Sequence, residues 1–563
     1  MIYHCEDHTC NYWDEGEKLP ERCPQCGRKL LRANEADMTG DDWTALGNTL
    51  WDAEASDKKR MVDCFRKAAY LGSAWGVCNL GICMEQGNGV EADPVQAFWL
   101  YQQAVEMGSL NAVCCLGVCY QYGIGTAPDA KQAAELYCKA AEYGSPRGQM
   151  LLARAFHDGI GVEADAAEAV YWVRAAAYQR YGEGMHRLGV CYEYGDGVEQ
   201  SWEQAFSWYR RGAECGYPVS MSNLGLCYKR GYGVDQNWQE AIKWYEQGAQ
   251  CGDLQSMHNL ARCYERGEGV EQNEERALYW YRRSAEGGNG DAMCNLGRCY
   301  ERGYGVEQNE DRALYWYRRG AEAGSDYCMY CLGWNYSNGE GVEQNMTEAI
   351  RWYTAAAEGG NADAMHDLGW HYDHGEGVEQ DMKKAICWYE RAAEQNHPAA
   401  MNSLGECYAM GRGVPRDLET AMEWYRRAAE LGEAMADYNM GWHLEQAGKL
   451  SEAYAHYRKA ADGNDDSAWW ALGRFYENGV VVAQDGKEAR RCYETGEKLG
   501  SVKCKMRLAR CELLGIGGHR AKKAGLDLCR QALELAKESS EKEDYGYEAE
   551  MNLLRRTIAE NES

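Results

Sequence analysis

The sequence predicts an all-α fold: a right-handed α/α solenoid superhelix of about fourteen stacked helical hairpins. Three observations predict it. A Leu-Gly pair, or a near variant, returns at a steady interval. Its small residue is Gly47, Gly81, Gly117, Ala153, Gly189, Gly225, Ala261, Gly297, Gly333, Gly369, Gly405, Gly441, Gly473 and Ala509, 36 residues apart at most steps. Gly-x-Gly-Val begins at Gly87, Gly159, Gly195, Gly231, Gly267, Gly303, Gly339, Gly375 and Gly411. The dipeptide Trp-Tyr recurs seven times, from Trp208-Tyr209 to Trp424-Tyr425. Such periodic self-similarity marks an array of units that cannot bury a core alone and do so by stacking.

Residues 1–32 come first and do not repeat. Cys5, Cys10, Cys23 and Cys26 form C-x4-C-x12-C-x2-C in "CEDHTCNYWDEGEKLPERCPQCG". Two turn-borne thiolate pairs suit one tetrahedral Zn²⁺, and Gly27 permits the tight turn of a metal knuckle. The segment has too few apolar residues to fold by burial, so metal would supply its stability. It reads as a zinc ribbon with a closed, structural site; rubredoxin-type iron and four unrelated thiols are the other readings. Residues 33–42 follow as a linker.

The array spans 43–538. In the copy around Gly297, Met293, Leu296 and Tyr300 fall on one helical stripe. The missing side chain at Gly297 lets the partner helix approach. Gly303 is placed to end the first helix in a left-handed conformation, and Val306 can turn back into the core. The second helix carries Ala313, Trp316, Tyr317 and Ala321, and Gly324 closes it. Two copies, near 43–72 and 436–463, are shorter. The second turns at Gly448 without Gly-x-Gly-Val and looks like an ordinary tetratricopeptide repeat. Residues 539–563 read as a capping helix and tail, with Met551, Leu554 and Ile558 on one face.

Composition narrows the function. The chain has 563 residues, 88 acidic against 60 basic, a net charge of −28. That argues against a general nucleic-acid or acidic-membrane binder. No run is long and apolar enough for a membrane span, and "MIYHCEDHTC" lacks the apolar core of a secretory signal. Of 26 cysteines, Cys83, Cys119, Cys191, Cys227, Cys263, Cys299, Cys407 and Cys511 stand two residues after the small residue of the repeat. There they read as small apolar core side chains. His371 takes that slot in "MHDLGWHYDHGEG"; with His374 it could share a metal, but a core imidazole is the simpler reading. No nucleophile with an evident base partner occurs, and Gly-x-Gly-Val follows a helix, not the strand a phosphate loop needs.

The pattern carried by Ala292, Leu296, Gly297, Tyr300, Gly303, Gly305, Val306, Ala313, Trp316, Tyr317 and Ala321 resembles the Sel1-like repeat family, a relative of the tetratricopeptide repeat. The resemblance covers roughly 43–538. It implies the fold more sharply than the function, because the family includes adaptors, signalling proteins and secreted bacterial proteins. One secreted branch staples each repeat with a cysteine pair. Here Met185, Met221, Met257, Met293, Met365 and Met401 stand at the matching first-helix position, so no staples are expected and reduced thiols point to the cytoplasm.

The resemblance also implies that first helices line a concave face. Asn223, Asn259 and Asn295, each just before the small pair, would then grip an extended backbone; tying neighbouring helices together is the other reading. Arg262 and Arg298, with Arg266 and Arg302 a turn later, would form a basic stripe for a carboxylate or pair with Glu265 and Glu301. Trp334 and Trp370 occupy the equivalent of Arg298 and make the groove more aromatic. The expectation is a cytoplasmic, bacterial, non-enzymatic scaffold that binds a partner protein or extended peptide along this face. Two alternatives stand beside it: an enzyme akin to cysteine-rich relatives linked to penicillin binding, and a nucleic-acid-associated regulator acting through the ribbon. In residues 1–32 five basic residues face six acidic ones, a poor phosphate binder.

Overall fold

A computed structural model describes residues 2–5, 13–15, 30–33, 35, 38–51, 55–542 and 547–562. They fall into two compact units, Met1–Gly287 and Gly288–Ser563.

The first unit opens with three short strands, β1 (Ile2–Cys5), β2 (Trp13–Glu15) and β3 (Leu30–Ala33). They form one antiparallel sheet in the order β2-β1-β3, with Tyr3 opposite both Asp14 and Arg32. Cys5 closes β1; Cys10, Cys23 and Cys26 lie outside the described residues. Helix α1 (Gly40–Thr49) starts behind a capping box. Thr39 Oγ1 accepts from the Asp42 N–H at 3.2 Å, while the Asp42 carboxylate accepts from the Thr39 N–H at 2.8 Å. These bonds satisfy two amides that a helix start leaves without partners. Buried Met38 already belongs to this core.

Among the described residues twenty-nine helices follow one another, ending with α29 (Glu548–Glu562). Odd and even neighbours pack as fourteen hairpins, from α1 with α2 (Ala55–Tyr70) to α27 (Val502–Leu514) with α28 (Lys522–Lys542). Seven belong to each unit.

The hairpin of α9 (Gly182–Tyr194) and α10 (Trp202–Glu214) shows why each conserved-looking letter recurs along the chain. A Cβ on Gly189 would sit 2.6 Å from Cε1 of Tyr209, so the missing side chain is the seat of the tyrosine ring. That ring is buried, and its hydroxyl donates to Glu193 at 2.5 Å. Tyr101 with Glu85, Tyr281 with Glu265 and Tyr493 with Glu477 repeat the bond at 2.6, 2.5 and 2.7 Å. Eleven hairpins bury a tyrosine at this place.

The connecting loop is equally explicit. Gly195, at φ 76°, ends α9 in the left-handed region. Gln200 Nε2 donates to the Glu193 carbonyl at 2.8 Å, covering one of the helix's last acceptors. Ser201 caps α10 by accepting from the Gln204 N–H at 3.3 Å. A Cβ on Gly197 would stand 2.3 Å from the Ala166 carbonyl of the preceding hairpin, so the loop backbone rests directly on its neighbour.

The departures have local causes. Helix α23 (Ala434–Gln446) stops at a right-handed Ala447 and leads through Gly448 to α24 (Leu450–Asp462), with no side-chain cap. At the chain's end, Met551 and Leu554 of α29 are buried with Leu513 and Cys529 of the last hairpin. Arg507 donates twice to Glu550, at 2.6 and 2.7 Å.

The cysteines two residues after the small residue are all buried, and none of them is in a disulfide. Burial pushes the thiols of Cys191 and Cys263 up to about 11, so they stay protonated and unreactive at neutral pH. One link of another kind, 34 residues apart and outside the family's staple positions, departs from the expectation of reduced thiols. Cys294 of α15 (Gly290–Arg302) and Cys328 of α17 (Asp326–Asn338) are joined as a disulfide with their Cα atoms 5.4 Å apart. The cysteines sit at different positions of their two helices, so the repeat alignment gave no hint of the pair. No helix among the described residues is long and apolar enough to cross a membrane.

Candidate partner-binding surface

In each unit several odd-numbered helices touch the next odd helix: α9 touches α11 (Pro218–Arg230), α11 touches α13 (Leu254–Arg266), and α15 touches α17. No even–even pair makes contact of comparable extent. The first helices of the hairpins therefore form the closer-set, inner row.

The asparagines of that row are half-buried, or buried in the case of Asn79, and they bridge helices. Asn223 Nδ2 lies 3.1 Å from His186 Nε2 on α9. Burial pushes the His186 imidazole down to about 4, so the ring is neutral at pH 7 and accepts this bond. Asn259 Nδ2 donates to Ser222 Oγ of α11 at 3.4 Å. Asn79 reaches Asn48 at 2.8 Å, and Asn439 reaches Asn402 at 3.0 Å and Glu406 at 3.2 Å. The tie thus runs from one first helix to the one before it. Asn295 and Arg298 lie half-buried on α15 in the second unit, each with partners of its own.

Among the arginines, Arg262 is half-buried, whereas Arg266 and Arg302 are exposed. Arg266 reaches Glu268 at 3.8 Å, a solvated pair of small energetic weight. Glu265 and Glu301 accept from the tyrosine hydroxyls of their own hairpins, at 2.5 and 3.3 Å. Burial raises the Glu301 carboxyl above its ordinary value.

In the second unit Trp334 and Trp370, 46% and 37% exposed, flank one cavity of about 350 Å³. Trp334 lies on α17 and Trp370 on α19 (Ala362–His374); Tyr353, Asp367, His371 and Glu376 complete the wall. The Trp370 indole stacks on His374 at 4.3 Å. His371 and His374 do not converge on a shared ligand position. His371 is buried, with Nδ1 3.1 Å from the Glu376 carbonyl, and His374 Nδ1 is 3.0 Å from the Trp370 carbonyl.

A second cavity, of about 390 Å³, lies in the first unit and escaped the sequence reading. It is built by α7 (Pro146–Asp158), α8 (Ala166–Tyr178) and α9. Its floor is Met150, Ala153, Ala169, Val170 and Val173; Arg154, His157, Asp158, Glu183, Arg187 and Asp196 surround the mouth. The available signal was Trp172-Val173, standing where other copies carry Trp-Tyr.

Within each unit the stacked helical hairpins define a tetratricopeptide-like repeat fold. The chain belongs to the Sel1 repeat family: the family model matches residues 76–109, 112–145, 146–181, 182–217, 218–253, 254–289, 290–325, 326–361, 362–397, 398–433, 434–465 and 468–501. The first hairpin and the last fall outside these matches. Among solved structures, a protective antigen of uropathogenic Escherichia coli strains with an SLR fold is 27% identical, with 82% of this chain and 94% of that one covered and a TM-score of 0.47. A Sel1 repeat protein from Oxalobacter formigenes is 30% identical over 56% of this chain and 93% of that one, at TM-score 0.39. An immunity protein from Pseudomonas aeruginosa is 19% identical over 38% and 81%, at 0.32. No curated protein matches the chain.

Proposed function

We propose that this protein is a non-catalytic scaffold that holds an extended segment of a partner protein on the inner row of its hairpins. The observation that carries this reading is the pair of exposed tryptophans, Trp334 and Trp370, around one cavity. Large aromatics left in water beside a concavity are the usual anchors of protein interfaces. Exposed Arg266 in the first unit and exposed Arg302 in the second offer polar contacts of their own, whereas Asn223 and Asn259 are engaged in ties between helices. Each bond contributes only about 0.5–1.5 kcal/mol net, so a partner must span several repeats. Sel1 repeat proteins are generally non-catalytic scaffolds, which agrees with this reading.

The N-terminal segment is proposed to hold one structural Zn²⁺ through Cys5, Cys10, Cys23 and Cys26. The three-stranded sheet whose first strand ends at Cys5 supports this. The many free cysteines among the described residues favour a reducing, cytoplasmic setting, with Cys294–Cys328 as the exception.

The test is affinity capture with the full chain against Trp334→Ala/Trp370→Ala. Both indoles are surface groups, so the variant should keep its circular dichroism spectrum and lose a specific partner. An unchanged partner set from a folded variant refutes the assignment.

A further inference from the structure

The cavity between α7, α8 and α9 lies where one hairpin lacks its own tyrosine. In eleven hairpins a buried tyrosine lies against the small residue of the first helix, and several donate to the side chain four positions further on. Here the three places are Val173, Ala153 and His157, and all three line the cavity. Ala169, on the same wall, is 6% exposed, whereas its counterparts Ala133, Ala205 and Ala241 are 0%. The void thus reaches a depth that the other hairpins seal.

The mouth carries charge. His157 stands between two carboxylates, with Nδ1 2.6 Å from Asp158 and Nε2 3.3 Å from Asp196. Arg154 pairs with Asp158 at 3.3 Å. Arg187, half-buried, is in no ion pair among the described residues. It occupies the position that Asn223 and Asn259 hold in later repeats, on the inner row.

We propose that this cavity takes a tyrosine side chain of the partner, flanked by a carboxylate that pairs with Arg187. The guest ring completes the hairpin as the chain's own tyrosine does elsewhere. Its hydroxyl meets the His157–Asp158–Asp196 group, and the unpaired guanidinium selects an acidic neighbour. Burying an aromatic in a preformed apolar floor is an effective single anchor. This deepens the scaffold reading and rests on it, but its test needs no partner protein.

The test uses two probes on the full chain, p-cresol and 4-hydroxyphenylacetate, followed by ligand-observed NMR. Both should bind the wild type. Val173→Tyr should fill the cavity, raise the melting temperature and weaken both probes at least about tenfold; the native Ala261–Tyr281 pair shows that alanine and tyrosine coexist at these places. If that variant misfolds, Ala169→Leu fills the same cavity from one turn earlier on α8. Arg187→Gln should weaken 4-hydroxyphenylacetate about threefold, the scale of one solvated ion pair, and leave p-cresol unchanged. Probes that do not bind, or that bind the filled variants equally, overturn the proposal. An Arg187→Gln variant with unaltered affinity for both overturns its acidic half. Loss of partner capture through Trp334 and Trp370 is a separate readout, so the two readings fail independently.

Discussion

Replacing Gly189 with alanine sets two effects of known sign against each other. Within a helix, Gly→Ala is favourable by about 1 kcal/mol. The new Cβ, however, would lie 2.6 Å from Cε1 and 2.7 Å from Cδ1 of Tyr209. An ordinary contact needs roughly 1 Å more. The ring is fully enclosed, and retreat would stretch its 2.5 Å bond to Glu193. Overpacking of this kind costs about 1–3 kcal/mol, and a weakened bond to a charged acceptor about 1.5 kcal/mol more. The net expectation is a loss of about 2 kcal/mol despite the better helix former. Repeat arrays unfold in parts, so the assay is hydrogen exchange of the α9 and α10 amides, with urea unfolding as a second measure. Slower exchange, or a higher midpoint, would refute the claim that the small residue is kept as a seat for the ring. Two hairpins already suggest the trade: Ala153 faces Val173, and Ala509 faces Cys529. Ala261 opposite Tyr281 shows that the neighbours can give way, which bounds the cost.

Acid should loosen the tie between α9 and α11. His186 titrates near 6.5 when unfolded and is held to about 4 by burial, so the unfolded chain binds the extra proton in between. Stability is complete above about pH 6.5 and declines as pH falls towards 4, by on the order of 3 kcal/mol locally; His186→Gln should flatten that part of a pH–melting profile. Metal analysis of the purified chain should find roughly one Zn per molecule, lost with Cys23→Ser, and a metal-free wild type would end the ribbon assignment. Glu550→Gln leaves buried Arg507 short of a counter-charge, with side-chain exposures of 8% and 12% for the pair. It should release α29 at a cost of about 3 kcal/mol, read as rapid exchange of α29 amides; protection equal to wild type would show that apolar packing alone holds this helix.

Much of the fold was legible because its causes are local. A left-handed glycine, a glutamine that covers a helix end and a cap residue all act within a few positions of Gly195, so the loop "GDGVEQS" declares itself. Val306 and its equivalents follow from the same turn. The candidate surface was legible only in part. Placing Asn223 on the inner row took the period together with the resemblance to tetratricopeptide-like stacks, but its bond to His186 spans 37 residues, and nothing local distinguishes a tie from a ligand contact. The cavity at Val173 is a missing side chain, which a pattern search passes over as a tolerable variation. Cys294 and Cys328 likewise occupy unlike positions of their repeats, and only the packing of α15 against α17 brings them together.

The sequence by itself determined the repeating unit, its family and the identity of its core residues, because a hairpin's turns, caps and apolar stripe are set by neighbours a few residues apart. The tertiary structure decided which polar groups are used up in holding helices together, where a ring is absent from the core and which indoles stay in water. Those outcomes depend on how one hairpin lies against the next, and that contact joins residues more than thirty positions apart.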